Sequence, residues 1–327
     1  MRGRTLAFVL MLGGTGPAAA VPLADHPPLQ ELVATLVQED GFEREALEHL
    51  FAQAEFKQSI IDAITRPAEK MPWSRYRPIF LTEQRIDGGV AFWRQHADLL
   101  DRAQAEHGVP AEVITAIIGV ETRYGAVTGS YRALDALTTL AVAGMSRSAF
   151  FGRELRHLLL LGREERIDPV TVTGSYAGAL GLPQFIPSSY RAYAVDFDQD
   201  GHRDLLHSTA DAIGSVANYL RRHGWQRGQP ISVPATVTAE AAGLADAGLK
   251  PALTLQELRA RGVSAGHAAD GATLKAAVIR LEGDQGDEYH LGFDNFYAIT
   301  RYNHSALYAM AVTQLAAAIG ERKSAAR

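Results

Sequence analysis

Apolar residues recur at helical spacing over most of the chain between about Pro28 and Arg227. Leu29–Val37, Ile86–His107, Ala133–Ala143, Ser148–Glu164 and Asp211–His223 each place them three and four residues apart. That spacing predicts amphipathic helices, with Gly and Pro between many of them. A further helix is predicted between Pro110, which suits a first turn, and Gly125, which suits an end. The pattern then changes. Ile231–Val237, punctuated by Pro230 and Pro234, reads as a short strand, and Val278–Leu281 and Tyr289–Phe293 are further strand candidates. Between them lies an Ala-, Gly-, Thr- and Leu-rich stretch with one short helix near Leu255–Arg261. Helical spacing resumes from about Asp294 to Ala318. The expected fold is therefore mainly α (α+β). A helical part spans 21–227, a small mixed lobe is inserted at 228–293, and 294–327 returns to helix. The cleft between such parts is a common place for a ligand.

Composition narrows the picture. The chain has 327 residues, 47% hydrophobic and 21% charged, as in ordinary globular proteins, and a net charge of −5. It lacks the basic surface that nucleic-acid binding needs. Arg2 and Arg4, the apolar Leu6–Leu12 and the small residues Ala18-Ala19-Ala20 read as a secretory signal peptide over 1–20. Its removal would delete two arginines and no acid, taking the net charge from −5 to −7. No later stretch is long and apolar enough for a transmembrane span. The chain has no cysteine, which excludes disulfides, thiol nucleophiles, thiolate metal sites and a lipid-attachment cysteine. A soluble exported compartment such as a bacterial periplasm is expected.

Glu121 is the first candidate for chemistry. With Ile114, Ile117 and Ile118 it shares one helix face, so a carboxylate takes an apolar position on a core-facing stripe. Burial disfavours the charged form, and a glutamate that keeps its proton near neutral pH is what a general acid requires. The competing reading is a helix-end glutamate turned to solvent or paired with Arg123. The second constellation is Asp196-Phe197-Asp198-Gln199-Asp200-Gly201-His202-Arg203-Asp204. It matches the start of an EF-hand loop, with Asp at positions one, three, five and nine and Gly at the sixth. The twelfth position holds His207 instead of a bidentate Glu, and Asp211 could close a longer loop. A structural Ca²⁺ is expected; the alternative is a solvated acidic turn.

Other signals are weaker. Gly174–Pro187 is a glycine-rich, aromatic-containing loop without phosphate-loop spacing. In it Ser175 and Gln184 could bond a neutral polar ligand, or the loop could simply pack tightly. The eleven histidines form no H-E-x-x-H, and G-x-S-x-G is absent. Asn303 or Ser305 could cap the last helix. Tyr76, Tyr124, Tyr219, Tyr302 and Tyr308 could pack at a core edge or stack on sugar rings.

Ile117-Ile118-Gly119-Val120-Glu121-Thr122-Arg123, Gly174–Gly181 with Pro183-Gln184-Phe185 and Pro187-Ser188-Ser189-Tyr190, Ala194–Asp198, Ser215–Tyr219 and Thr300–Ser305 together resemble the lytic murein transglycosylase B family. The resemblance runs from about Val33 to Ala318. It implies a lysozyme-like helical core with an additional α lobe and a small β-containing lobe. It implies cleavage of the β-1,4 bond between N-acetylmuramic acid and N-acetylglucosamine in peptidoglycan glycan strands. The muramic 6-hydroxyl, not water, would attack and leave a 1,6-anhydro product. A hydrolytic muramidase and a non-catalytic peptidoglycan-binding protein are the alternatives.

The resemblance places the single catalytic acid at Glu121 and substrate contacts at Tyr76, Ser175, Gln184, Tyr219, Tyr302, Asn303 and Tyr308. It assigns the Ca²⁺ loop to Asp196, Asp198, Asp200, His202 through its carbonyl, and Asp211. No organic cofactor is implied, and a monomer is expected. One departure stands out: Ser146-Arg147 replaces an expected Arg-Arg pair, leaving Arg147 alone to hold acidic parts of the substrate. Ordinary glycosidases use two carboxylates. Glu154, Glu164 and Asp168 are acidic and near in sequence, but solvated helix faces explain them equally.

Overall fold

The computed structural model describes residues 19–65, 71–265 and 273–325. The first eighteen positions of the expected signal peptide lie outside the described residues. No described helix is long and apolar enough to cross a membrane. The described residues divide into two units, one drawn from 71–124 and 216–325, the other from 19–65 and 125–215. The helical stretch 21–227 thus contributes to both.

In the first unit the helix Ala111–Thr122 packs against Glu83–Gln95, Ala97–His107 and Ala306–Ala325. Every residue of Ala111–Thr122 except Glu112 is buried. The spacing of Ile86–His107 had suggested one helix; the chain instead breaks at His96. There φ is −118° and ψ 30°, and the imidazole tilts onto Phe92 at 4.7 Å. The final helical stretch also breaks, into Asp294–Tyr302 and Ala306–Ala325. Asn303 is extended, and the Ser305 hydroxyl accepts the Tyr308 N–H at 3.3 Å, so Ser305 caps the second helix.

The lobe of the same unit is a five-stranded antiparallel sheet. Leu253–Thr254, Lys275–Gly283, Gly286–Gly292, Ser232–Val237 and Val263–Ala265 lie side by side in that order. Val278 pairs with Leu291, which pairs on its other side with Val233. Pro234 lies just outside the pairing with Val263–Ala265, so its missing N–H breaks no ladder there. Val233, Leu255, Leu258, Val278, Leu291 and Phe293 are among the side chains that close the lobe's core.

The second unit packs Ala133–Val142 against Ser148–Glu165, with Pro27–Gln38 and Pro187–Tyr193 against the latter. Asp135 is fully buried yet satisfied. It accepts two bonds from Arg132 at 2.8 Å and one from the Glu55 N–H at 2.9 Å.

Candidate active site

The helix that carries Glu121 does not run to Gly125. It ends at Thr122, and Arg123 and Tyr124 take left-handed backbone at φ 51° and 62°. Such conformations cost roughly 1–2 kcal/mol in a non-glycine residue. Packing of the Tyr124 ring against Gly88, Gly89 and Gly119 offsets that cost, because the ring folds back across the helix. Its hydroxyl donates to the Arg85 carbonyl at 2.7 Å. Gly119 makes the return possible: a Cβ there would lie 2.5 Å from the Tyr124 hydroxyl.

Glu121 faces neither solvent nor Arg123. It is 7% exposed, and its Oε1 accepts the Tyr308 hydroxyl at 2.6 Å. Burial pushes its carboxyl up to about 7, against the opposing pull of that hydrogen bond, which favours the anion. A group poised there can give a proton near neutrality and take one back. Burial, and then the nearby Glu121, raise the phenols of Tyr302 and Tyr308, so neither ionises in the physiological range.

The structure gathers five of the sequence-predicted residues around this acid. Tyr302 lies parallel to Tyr308 with ring centres 6.3 Å apart and is tilted against Tyr219 at 4.8 Å. Tyr219 is anchored by its hydroxyl to the Arg301 carbonyl at 2.6 Å and stacks on His223 at 4.0 Å. Tyr76 is buried, stacks on Trp73 and contributes to raising the Tyr308 phenol. Asn303 is buried with its Oδ1 lacking a hydrogen-bond partner. An orphaned buried acceptor costs about 1–3 kcal/mol and is tolerable where a ligand can supply the donor.

Ser175, Gln184 and Arg147 belong to the second unit. Ser175 Oγ accepts the Ala179 N–H at 3.0 Å and the Ala177 N–H at 3.3 Å, closing the glycine-rich turn and leaving the hydroxyl proton to donate. Gln184 is buried in left-handed backbone at φ 51°. Its Nε2 donates to the Thr128 and Gly181 carbonyls at 2.9 and 2.8 Å, while its Oε1 is buried without a partner. Backbone strain combined with an unsatisfied acceptor is characteristic of functional positions. Arg147 lies over the rings of Phe150 and Phe151 at 4.7 and 5.2 Å.

The nearby acids have other work. Glu154 is no solvated helix-face residue: it is buried and accepts the Ser188 N–H at 2.9 Å and its hydroxyl at 2.8 Å. It thereby caps the helix that begins at Pro187. Glu164 pairs with Arg191, and Asp168 accepts the Val170 N–H and the Thr171 hydroxyl. None of the three approaches the second-carboxylate role of an ordinary glycosidase within its own set of contacts.

In the acidic loop, carboxylate oxygens of Asp196, Asp198 and Asp211 come within 4.8 Å of one another. Asp211 is buried. It accepts the Phe197 N–H at 2.6 Å and the Asp204 N–H at 2.7 Å, tying both arms of the loop to the helix Thr209–Arg222. Asp196 accepts the N–H groups of Asp200 and Gly201, and Gly201 turns the chain at φ 94°. Asp200 stands outside the three-carboxylate group and accepts the His202 N–H at 2.8 Å. Burial and the neighbouring Asp198 push the Asp211 carboxyl up. Crowded oxygen donors of this kind fit a hard cation. A cavity of about 570 Å³ opens beside the loop at Asp200 and His202; no expected substrate residue lines it.

A helical protein with a buried glutamate, raised to about 7, among tyrosines has the form of a general-acid enzyme of the lysozyme-like class. The chain belongs to the transglycosylase SLT domain family, whose model matches residues 24–317. It is 41% identical over 321 residues to membrane-bound lytic murein transglycosylase B of Escherichia coli (strain K12), covering 95% of this chain and 86% of that protein. The crystal structure of soluble lytic transglycosylase SltB1 from Pseudomonas aeruginosa is similar at TM-score 0.84 and 50% identity, covering 91% of this chain and all of that one. The Escherichia coli lytic transglycosylase Slt35 in complex with calcium is similar at TM-score 0.84 and 41% identity, over 92% and 95% of the two chains. SltB3 from Pseudomonas aeruginosa, in complex with NAG-anhNAM-pentapeptide, is similar at TM-score 0.76 and 31% identity, over 88% and 77%. The mainly α, lysozyme-like α+β class expected from the sequence holds.

Proposed function

We propose that this chain is a lytic transglycosylase that cleaves the MurNAc-β-1,4-GlcNAc bond of peptidoglycan and leaves 1,6-anhydromuramic acid. The observation that carries the reading is Glu121, buried, raised to about 7 and hydrogen-bonded by Tyr308. Its family supports it, as does the anhydro-sugar ligand of SltB3.

Protonated Glu121 donates to the glycosidic oxygen as the bond to the anomeric carbon breaks. The 2-acetamido group of the muramic residue stabilises the positive anomeric carbon. Ionised Glu121 then takes the proton of the 6-hydroxyl as that oxygen attacks, which restores the acid. Tyr308 holds the carboxyl in place through both steps and stabilises its charged form. In the unit of Glu121, Asn303 offers an acceptor to a sugar hydroxyl or amide and Tyr76, Tyr219 and Tyr302 offer flat faces; in the second unit, considered by itself, Gln184 offers an acceptor, Ser175 a donor and Arg147 a charge for acidic groups.

Mass spectrometry of digested cell wall tests the reaction. Products one water lighter than reducing-end muropeptides are expected. Reducing-end products would assign a hydrolytic muramidase instead, and binding to sacculi without release of fragments would leave only a binding protein.

The calcium-bound relative supports Ca²⁺ in the acidic loop. Asp196, Asp198 and Asp211 would supply carboxylates, with Asp200 and the His202 carbonyl completing the set. The ion would neutralise the crowded carboxylates and clamp the loop. Saturation a hundredfold above Kd adds about 2.7 kcal/mol to stability. A chelator should therefore lower the melting temperature by several degrees, and Ca²⁺ should restore it; coincident melting curves would remove the ion from this account. Substrate chemistry and the expected signal peptide support a reading of the enzyme as exported to the cell-wall compartment.

A further inference from the structure

Arg85 is a buried cation with no counter-ion among the described residues. It sits in the first turn of the helix Glu83–Gln95, where Thr82 caps the backbone through the Arg85 N–H. The residue is 8% exposed, and its Nη1 is buried without a hydrogen-bond partner. Its guanidinium lies over the Phe80 ring at 5.0 Å. The acids two residues to either side do not help it. Glu83 and Asp87 both bind Arg322, at 2.6 and 2.5 Å. The charged group that acts on Arg85 from just beyond the neighbouring helix Ala111–Thr122 is a second cation, Arg123. Burial and Arg123 together hold the guanidinium below its ordinary pKa. Buried charges in folded proteins are paired or functional, because an unpaired one costs several kcal/mol. A guanidinium with an unpaired donor and a second cation acting on it fits a carboxylate, which a guanidinium can bind through two parallel hydrogen bonds.

Arg123 follows Glu121 by two residues. Phe80 bridges Arg85 to Tyr76, the Tyr76 and Phe80 ring centres being 5.1 Å apart. Arg85 therefore lies one ring beyond a residue assigned to the substrate. Peptidoglycan carries its carboxylates on the stem peptide of the muramic residue.

Building on the transglycosylase reading, we propose that Arg85, with Arg123 beside it, binds a stem-peptide carboxylate and makes this enzyme prefer peptide-bearing glycan strands. Arg85 is a specificity-determining residue; the chemistry stays with Glu121.

The test compares Arg85→Met with wild type on two substrates: glycan strands carrying stem peptides, and strands stripped of them by an amidase. A lost hydrogen bond to a charged group predicts a roughly ten- to hundredfold fall in kcat/KM on peptide-bearing strands. On stripped strands kcat/KM should stay at the wild-type value. Equal losses on both substrates would make Arg85 a packing residue, and no loss on either would remove it from recognition. Arg85→Lys keeps the charge without the planar fork, so it should fold and show a smaller loss confined to peptide-bearing strands. If it tracks wild type on both substrates, the bidentate assignment fails. Wild-type release of anhydro products from stripped strands checks the underlying activity separately.

Discussion

Glu121→Gln should fold like the wild type and lose 10²–10⁴ or more of its turnover, the range that proton transfer by a positioned side chain contributes. The substitution is nearly isosteric, and a Gln carbonyl can still accept the Tyr308 hydroxyl that now reaches Oε1 at 2.6 Å. What it removes is the proton. In a one-carboxyl mechanism the same group is acid in bond cleavage and base in closure of the anhydro ring, so both steps fail together. Product release from cell wall, followed by chromatography, reads the loss directly. Turnover within a few-fold of wild type would move the acid elsewhere. Glu154, Glu164 and Asp168 would be poor replacements, since each is already committed to a helix cap, an arginine or a local turn.

The same residue should leave a signature in stability against pH. Its folded value is about 7 and its ordinary value 4.5. Below about 4.5 both states hold the proton, and the stability conferred by the buried neutral carboxyl is fully present. Between 4.5 and 7 the unfolded chain releases a proton that the folded chain keeps, so stability falls as pH rises. Above 7 the loss is complete. At ~1.36 kcal/mol per pKa unit the total is on the order of 3 kcal/mol. Gln titrates nowhere in this window. The stability of Glu121→Gln relative to wild type should therefore rise by about that amount from pH 4 to pH 8, measured by denaturant unfolding. Parallel curves for the two proteins would mean that Glu121 is ionised in the fold at neutral pH.

Much of the architecture was legible because it depends on near neighbours. The helices at Ser148–Glu165 and Ala133–Val142 and the strand at Ser232–Val237 follow local spacing and punctuation. The acidic loop follows from its ligand periodicity and from Gly201. Ser305 was a cap candidate in the sequence and does cap the helix Ala306–Ala325. The break at His96 was not legible, since apolar spacing runs through it and ring packing on Phe92 decides it. Nor was the end of the Glu121 helix. Gly125 is a plausible terminator in isolation, but Tyr124 leaves the helix earlier to fill the space over Gly119. Glu154 read as a solvated acid because the Ser188 that it caps lies 34 residues away. Arg85 showed no signal at all. A charged residue in the first turn of a helix is normally solvated, and only the ring of Phe80 and the commitment of Glu83 and Asp87 to Arg322 isolate it.

By itself the sequence determined where helix and strand form, that one carboxylate stands on an apolar helix face, and that oxygen ligands are spaced for a hard cation. Each of these rests on periodicity within a few turns of chain. The tertiary structure decided what that carboxylate is. Its protonation depends on burial by surrounding helices and on a hydroxyl 187 residues distant, Tyr308. Both are properties of packing between remote segments, which no local spacing encodes.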